Sequence, residues 1–408
     1  MSNRSLIAFL CFFAFTFGFT SETLKVKLNH GGVLVGRHLE SSEGRHIRAF
    51  LGIPYAKPPL DDLRFKSPQP YPSWKGEKLA IKDGPFCLQV DPYLRTSGPE
   101  GEEDCLYLNV YTPPLKDIKD PLPVIVWFHG GGWESGSGGE LFYGPQFLLN
   151  RDVILVSGNY RLGPLGFLST ESLECPGNFG LKDQVEILRW VKENIHSFGG
   201  NASSITIAGE SAGGATVSYL MHSEKSKGLF HKAILESGNF HNPWAQPMHE
   251  GEAFKRAMKL AKMFNCEESN KIIYCLRKVP GKDIIARFNE FFEWDIYPMI
   301  PFQPVVEVEH PEAFLTENPK ETGLRSLDIP VLTGCNSGEG IIMSSFLLNN
   351  QEVMGELKSQ VNKLFPIIFN YDHWSQDKQE EITKAIEGFY FKNGHVYEKE
   401  THQNFTGV

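Results

Sequence analysis

Residues 204–214 read SITIAGESAGG, an apolar and β-branched run that stops at Gly209 and is followed by small residues. The run Ile205–Ala208 predicts a buried strand, and the small residues lead into a segment compatible with a helix. A G-x-S-x-G sequence at such a junction is typical of a nucleophile elbow, in which Ser211 lies in a strained turn and the glycines let neighbouring backbone pass close by. An ordinary glycine-rich turn is the alternative, because the short motif also recurs by chance.

A run of three glycines follows the predicted strand Val124–Phe128 in the sequence HGGGW, residues 129–133. Consecutive glycines at the end of a strand can turn backbone N–H groups into a shared cavity, which is what stabilisation of an oxyanion requires. Glycine runs also form flexible turns, but the position after a buried strand and upstream of the elbow favours the functional interpretation. We expect the amides of Gly131, Gly132 and Ala212 to form an oxyanion hole.

An acidic residue follows another predicted strand, Ile329–Leu332, in the loop CNSGEG, residues 335–340. In folds with a nucleophile elbow, the carboxylate of the catalytic triad comes after the nucleophile in the chain and orients the base. Glu339 occupies such a position and is our candidate for the catalytic acid. A solvated turn residue is the alternative for an acidic side chain in a glycine-containing loop.

Predicted strands alternate with helix-length segments along most of the chain. Alternating apolar residues around Gly31–Gly32 indicate an N-terminal hairpin, and apolar residues three and four apart from Leu181 to Ile195 indicate an amphipathic helix. Strands separated by crossover helices predict an α/β fold, with a mostly parallel central sheet and helices on both faces. Residues 240–328 are less regular, and we interpret them as a cap insertion that lines a site.

The composition indicates a globular chain without a nucleic-acid partner. Of the 408 residues, 41% are hydrophobic and 22% are charged, which is enough apolar sequence to bury a large core. The 40 basic and 49 acidic residues give a formal charge of −9, and the basic residues form no block of five or more. A polyanionic partner is therefore not expected.

The N-terminus has the pattern of a secretory signal peptide, which we place at residues 1–20. Arg4 supplies the positive charge, and the apolar run Leu6–Phe19 is too short to span a bilayer comfortably. An uncleaved anchor is the alternative, but we expect a secreted chain without stable membrane insertion. The sequons at Asn201 and Asn404 are then expected to be glycosylated, with Asn201 exposed in a loop that enters the strand before Ser211.

The cysteines are consistent with an oxidising compartment. Two pairs bracket local loops and are credible disulfides: Cys87 with Cys105, and Cys266 with Cys275. Cys175 and Cys335 are left over and are expected to be buried thiols. No C-x-x-C sequence or histidine cluster indicates a metal site.

Longer stretches around these motifs resemble a known family. They are FLGIPYAKPP at 50–59, EDCLYLNVY at 103–111, NYRLGPLGFLS at 159–169, GNFGLKDQ at 177–184 and SGEG at 337–340. With HGGGW and GESAGG, these stretches make the chain similar to the type-B carboxylesterase/cholinesterase family of α/β-hydrolases. The similarity extends from about Thr23 to the last residue, and the sequence most resembles those of secreted insect esterases. The resemblance implies one such domain over residues 21–408. It also implies Ser211 as nucleophile, Glu339 as acid and the three amides as oxyanion hole, and it supports both disulfides.

The sequence departs from the family pattern at the third member of the triad, a histidine in a short loop well downstream of the acid. The histidines after Glu339 are His373, His395 and His402. His373 and His402 have polar, helix-flanking contexts typical of surface residues. His395 follows a predicted turn at Asn393–Gly394 and is the only local candidate for the base, although no family-like motif surrounds it. The chain also ends at Val408, before the last strand and helix of the family, so we expect an incomplete domain with impaired or absent activity.

The activity implied by the resemblance is hydrolysis of small-molecule carboxylic esters through an acyl-enzyme intermediate, with no cofactor or metal. A non-catalytic binding or adhesion module is the alternative, although retention of Ser211, Glu339 and the glycines favours an enzyme. Family position suggests that Trp244 lines the acyl pocket, while a role as a core aromatic is equally compatible. The loop between Cys87 and Cys105 lacks the tryptophan that binds choline in the cholinesterase branch, which favours uncharged esters.

Overall fold

The computed structural model describes residues 24–116, 118–267, 271–323 and 328–391. The predicted signal peptide at 1–20 lies outside the described residues, as do His395, His402 and Asn404. Within the described ranges, none of the helices is both long enough and apolar enough to cross a bilayer.

A small sheet formed by a hairpin and one added strand lies at the start of the described chain. Strand β1 (Lys25–Lys27) pairs antiparallel with β2 (Val33–Val35), and β5 (Glu77–Leu79) joins β2 in parallel. Gly31 has a φ of 113°, a conformation that a residue with a side chain rarely adopts. The hairpin predicted around Gly31–Gly32 is confirmed.

Eight strands form the central sheet: β3 (Arg37–Glu40), β4 (His46–Pro54), β6 (Tyr107–Thr112), β7 (Leu122–Phe128), β8 (Ile154–Gly158), β9 (Gly200–Glu210), β10 (Lys232–Glu236) and β11 (Val331–Gly334). Their order across the sheet is β11-β10-β9-β7-β8-β6-β4-β3. Neighbours from β11 to β8 run parallel, and β6, β4 and β3 continue the sheet antiparallel. The predicted mostly parallel α/β sheet is confirmed, with an antiparallel flank.

The central strands are covered on both faces. In β7, Val124, Val126 and Phe128 are fully buried in the largest core cluster, whereas Ile125 and Trp127 pack against a second cluster. Successive side chains of a strand point to opposite faces, so these two clusters lie on opposite sides of the sheet. A strand buried on both faces has the continuous apolar sequence seen here.

The α-helices of the described residues include several of a single turn: α1 (Glu140–Tyr143), α2 (Gly163–Phe167), α3 (Phe179–Asn194), α4 (Ala212–His222), α5 (Glu252–Met263), α6 (Ile272–Leu276), α7 (Gly281–Ala286), α8 (Pro319–Thr322), α9 (Ile341–Asn349), α10 (Gln351–Ser359), α11 (Val361–Ile368) and α12 (Gln376–Tyr390). The predicted amphipathic helix is α3, which packs against α2 and α4. Helix α4 packs on β9 and β10 and begins directly after Ser211.

The last described helices, α9 to α12, surround a core of their own that includes Leu357, Leu364 and Phe365. Strand β11 precedes them at the edge of the central sheet, and all four of its residues are exposed. The C-terminal side of the sheet therefore presents an open strand edge among the described residues.

Both predicted disulfides are present, Cys87–Cys105 and Cys266–Cys275. Cys175 is a buried thiol, as predicted. The same prediction for Cys335 is wrong: this thiol is exposed, because it directly follows the open edge strand β11.

The position predicted for Asn201 needs a correction. Strand β9 begins at Gly200, which pairs with Leu122 of β7, so Asn201 lies within the strand and is half-buried. Its side-chain Oδ1 accepts a hydrogen bond from the Ser203 amide at 2.8 Å. Glycosylation at this residue stays a prediction.

Candidate active site

Ser211 lies at a sharp turn between β9 and α4, with φ 55° and ψ −123°. A non-glycine residue with positive φ outside the usual left-handed region is strained and persists only when its surroundings hold it. The Ser211 amide donates a hydrogen bond to the Glu236 carbonyl of the neighbouring strand at 2.8 Å. A Cβ atom on Gly213 would lie 2.0 Å from the Phe128 oxygen, and one on Gly238 would lie 1.9 Å from the Ser211 oxygen. The strand-turn-helix arrangement predicted from the motif is therefore present.

The glycine run after β7 forms a turn beside Ser211, and we call residues 129–135 the glycine turn. Gly131 and Gly132 have φ angles of 95° and 64°, and the amides of Glu134 and Ser135 both donate to the Gly131 carbonyl at 3.0 Å. A Cβ atom on Gly130 would lie 3.1 Å from the Cβ of Ser211. The structure thus brings the glycine turn and the first residue of α4, Ala212, to the same serine.

Buried aromatic side chains hold the glycine turn in place. The ring of His129 stacks on Tyr160 with centroids 4.2 Å apart, and the Tyr160 hydroxyl donates to the His129 carbonyl at 2.7 Å. Burial lowers the pKa of His129 to about 4, so the imidazole is neutral and its Nδ1–H donates to the Gly130 carbonyl at 2.8 Å. Trp133 Nε1 donates to Thr216 Oγ1 of α4 at 2.9 Å, which ties the turn to the helix behind Ser211.

Glu339 lies in the loop after β11, at the same end of the parallel strands as Ser211. Its Oε1 accepts hydrogen bonds from Ser237 Oγ at 2.6 Å and from the Asn336 amide at 2.7 Å. Burial raises the pKa of Glu210, the neighbour of Ser211, and the charge of Glu339 raises it further. Glu339 and the Ser211 turn are therefore close enough to interact electrostatically, although Glu339 itself is exposed.

No histidine of the described residues forms a hydrogen bond with Ser211 or Glu339. The prediction that His373 is a surface residue is confirmed, since its side chain is exposed; its ring contacts that of His249 at a tilt of 31°, with centroids 3.6 Å apart. The candidate for the base, His395, lies outside the described residues, as does His402, which is predicted to be a surface residue.

Trp244 lies beside the glycine turn. Its ring centroid is 6.2 Å from that of Trp133, and its carbonyl accepts a hydrogen bond from Gln303 Nε2 at 2.6 Å. The side chain is half-buried and packs against the main core. This position is compatible with both of the roles predicted for it.

Sequence reasoning missed two carboxyl groups that the fold brings to this site, Glu210 and Glu134. Glu210 adjoins Ser211, and Glu134 is buried in the glycine turn with no hydrogen-bond partner for either oxygen among the described residues. The only sequence signal for both was their place within or directly after the two glycine motifs. Their burial depends on segments far away in the chain, which no local pattern reports.

Comparison with known proteins agrees with this geometry. A sequence model of the carboxylesterase family matches residues 21–406. The chain is 40% identical to Esterase FE4 of Myzus persicae over 95% of its own length and 68% of the relative's. It is 37% identical to the juvenile hormone esterase of Tribolium castaneum, over 88% of this chain and 62% of that one.

The fold also matches a solved structure, juvenile hormone esterase from Manduca sexta with OTFP covalently attached. The TM-score is 0.81 at 30% sequence identity, over 94% of this chain and 73% of that one. The predicted α/β-hydrolase fold and the predicted class of carboxylic ester hydrolase are therefore confirmed. The chain belongs to the carboxylesterase family.

Proposed function

We propose that the chain hydrolyses carboxylic esters with Ser211 as the nucleophile. The observation that carries this proposal is the strained conformation of Ser211 directly beside the glycine turn. Attack of Ser211 Oγ on the acyl carbon forms a tetrahedral intermediate, and the amides of Gly131, Gly132 and Ala212 would stabilise its oxyanion. The intermediate then expels the alcohol and leaves an acyl-serine, which water hydrolyses to the acid.

Proton transfer needs a base, and Glu339 is suited to orient one. The base takes the Ser211 proton during attack and returns it to the departing alkoxide. The hydrogen bonds from Ser237 and Asn336 fix the Glu339 carboxylate at the edge of the site. Since no described histidine is bonded to Glu339, the base in this proposal comes from outside the described residues. Impaired activity of the 408-residue chain accordingly stays a prediction.

The preferred substrate in this proposal is an uncharged ester. A quaternary ammonium group calls for an aromatic face to receive it by cation–π attraction. The disulfide-closed loop between Cys87 and Cys105 contains no tryptophan, and Tyr93 is its only aromatic residue. Trp244 beside the glycine turn supplies an apolar surface for the acyl group.

Export from the cell is part of the same proposal. It rests on the signal-like sequence at 1–20 and on the two disulfides, which form and persist in oxidising compartments. Glycans on Asn201 and Asn404 would accompany passage through the secretory pathway.

Ester hydrolysis by the purified chain tests the reaction and its substrate class together. A matched pair of acetyl esters, one uncharged and one of choline, is compared in the wild type, Ser211→Ala and His395→Ala. We expect slow hydrolysis of the uncharged ester, a lower rate on the choline ester, and loss of both in Ser211→Ala.

Two outcomes of this experiment would change the proposal. Faster turnover of the choline ester would contradict the substrate class, and hydrolysis that survives Ser211→Ala would contradict the mechanism. Fast hydrolysis that is lost in His395→Ala would identify His395 as the base and show the predicted impairment to be wrong.

A further inference from the structure

One buried acid in the glycine turn has no role in the reaction described above. The side chain of Glu134 is 2% exposed, and neither Oε1 nor Oε2 has a hydrogen-bond partner among the described residues. An ionised carboxylate in such a place would be very unfavourable, because burial removes its hydration and nothing replaces the lost hydrogen bonds.

The position of Glu134 links it to the proposed oxyanion hole. A Cβ atom built on Gly132 would lie 3.0 Å from the Tyr93 hydroxyl and 3.6 Å from Glu134 Oε2. The carboxyl group and the phenol therefore pack against the same side of Gly132. Because Gly132 has a φ of 64°, its amide direction depends on the packing around it.

The charged groups around Glu134 do not offset the effect of burial on the pKa of its carboxyl group. Arg256 of α5 is the nearby cation, but its Nε donates to Glu252 Oε1 at 3.0 Å and its Nη1 to the Pro301 carbonyl. Asp91, in the disulfide-closed loop, adds a negative charge. Burial raises the pKa of Glu134 well above its usual value, Asp91 raises it further, and Arg256 only opposes this rise.

The pKa values of the two phenols in this region, Tyr93 and Tyr297, lie far above neutrality. Burial raises the pKa of Tyr93 well above its usual value, and Glu134, Asp91 and Tyr297 contribute to the rise. Burial likewise raises the pKa of Tyr297, helped by Asp295. The groups that act on Glu134 are thus the neutral phenol of Tyr93, the acid Asp91 and the engaged guanidinium of Arg256, with the neutral phenol of Tyr297 acting on Tyr93 in turn.

We propose that Glu134 is a positioning residue that supports Gly132 as a neutral carboxylic acid, so that Glu134 adds no negative charge beside the oxyanion. The inference rests on the proposed function, because the oxyanion is that of the Ser211 reaction. Ionisation of Glu134 would place a full charge next to the turn where the transition-state charge develops. In a buried environment, such repulsion slows the step by roughly tenfold or more.

Infrared spectroscopy tests the protonation state without any need for catalysis. At pH 7 the wild type should show a carbonyl stretch of a protonated carboxyl that is missing in Glu134→Gln. Glu134→Leu provides a second comparison if the glutamine variant does not fold. The exposed Glu380 serves as the matched control, since Glu380→Gln removes an acid without changing this band. Absence of a Glu134 band at pH 7 would overturn the inference.

The rate of phosphonylation of Ser211 as a function of pH tests the link to the oxyanion. As pH rises, the wild-type rate should fall by roughly tenfold or more at the pH where the Glu134 band disappears, and Glu134→Gln should lack this step. The same fall in rate with rising pH in the wild type and in Glu134→Gln would overturn the positioning role. If no protein reacts at any pH while the band is present, the proposed function fails. In that case the protonated Glu134 beside Gly132 is a feature of the structure without a role in catalysis, and the catalytic part of the inference is refuted.

Discussion

The buried imidazole of His129 makes stability depend on pH at the scale of a single residue. Its pKa is about 4 in the folded protein, against an ordinary value of 6.5, because burial disfavours the charged ring. As pH falls from 6.5 towards 4, the unfolded chain binds a proton that the folded chain does not, so stability is lost over this window. At about 1.4 kcal/mol per unit of pKa shift, the loss is roughly 3 kcal/mol.

Chemical denaturation of the wild type and His129→Gln at pH 7 and pH 4 measures this loss. The glutamine side chain does not titrate, so the variant should lose about 3 kcal/mol less on acidification. His46→Gln, at an exposed position, is the control and should behave as the wild type. Equal acid sensitivity of wild type and His129→Gln would refute the buried neutral imidazole.

Local motifs predicted the residues whose role depends on backbone shape. The elbow at Ser211 and the turn at Gly131 and Gly132 follow from short sequences that few other conformations accommodate. The acid Glu134 escaped prediction because its burial depends on Tyr93 and α5, which are distant in sequence. Single-residue environments built by tertiary contacts are not encoded in local patterns.

At the scale of elements, the disulfide-closed loop between Cys87 and Cys105 fixes the segment that carries Tyr93. The two cysteines are separated by 18 positions, and both are almost fully buried. Closing such a loop restricts the unfolded chain, so replacing both residues by serine should lower the free energy of unfolding by about 3 kcal/mol. The Cys266–Cys275 bridge closes a shorter loop, with a sequence separation of 9. Replacing these two cysteines by serine should therefore lower the free energy of unfolding by less.

Denaturant unfolding of the two double-serine variants checks this order. A larger loss of unfolding free energy in the Cys266/Cys275 double-serine variant would contradict the assignment of the Cys87–Cys105 bridge as the more stabilising one. Hydrogen exchange in the loop around Tyr93 should also rise in the Cys87/Cys105 variant.

Strand and helix types were predictable where the apolar periodicity is strong, as in β7 and α3. The first and last residues of the strands were less predictable. Strand β9 starts at Gly200 because it pairs with β7, and β11 lies at Val331–Gly334 rather than at 329–332. Pairing with neighbouring strands decides such ends, and a single sequence segment does not contain that information.

At the scale of the whole molecule, the open edge of β11 is the feature most exposed to self-association. Among the residues that the structure describes, Val331 and Leu332 lie on an edge strand with 47% and 66% of their surface exposed, which leaves apolar side chains and unpaired backbone groups together. Such an edge can pair with another chain. We expect Val331→Lys and Leu332→Lys to reduce aggregation several-fold, because lysine on an edge opposes pairing.

Light scattering of concentrated protein measures this effect, with Phe389→Lys as the matched control. Phe389 is 73% exposed but lies on α12, so its replacement removes apolar surface without altering a strand edge. If Phe389→Lys suppresses aggregation as strongly as the β11 variants, general hydrophobicity rather than the strand edge is responsible.

The identity of the nucleophile is the central claim, and mapping of a covalent adduct tests it most directly. The purified chain is treated with a large excess of a fluorophosphonate, and the adduct is located by peptide mass spectrometry beside a Ser211→Ala control. Residual positioning and oxyanion stabilisation suffice for slow reaction even when a triad is incomplete. We predict that labelling is slow, that the adduct that forms lies on Ser211, and that none forms in Ser211→Ala. An adduct on another residue, or one that persists in Ser211→Ala, would contradict this account.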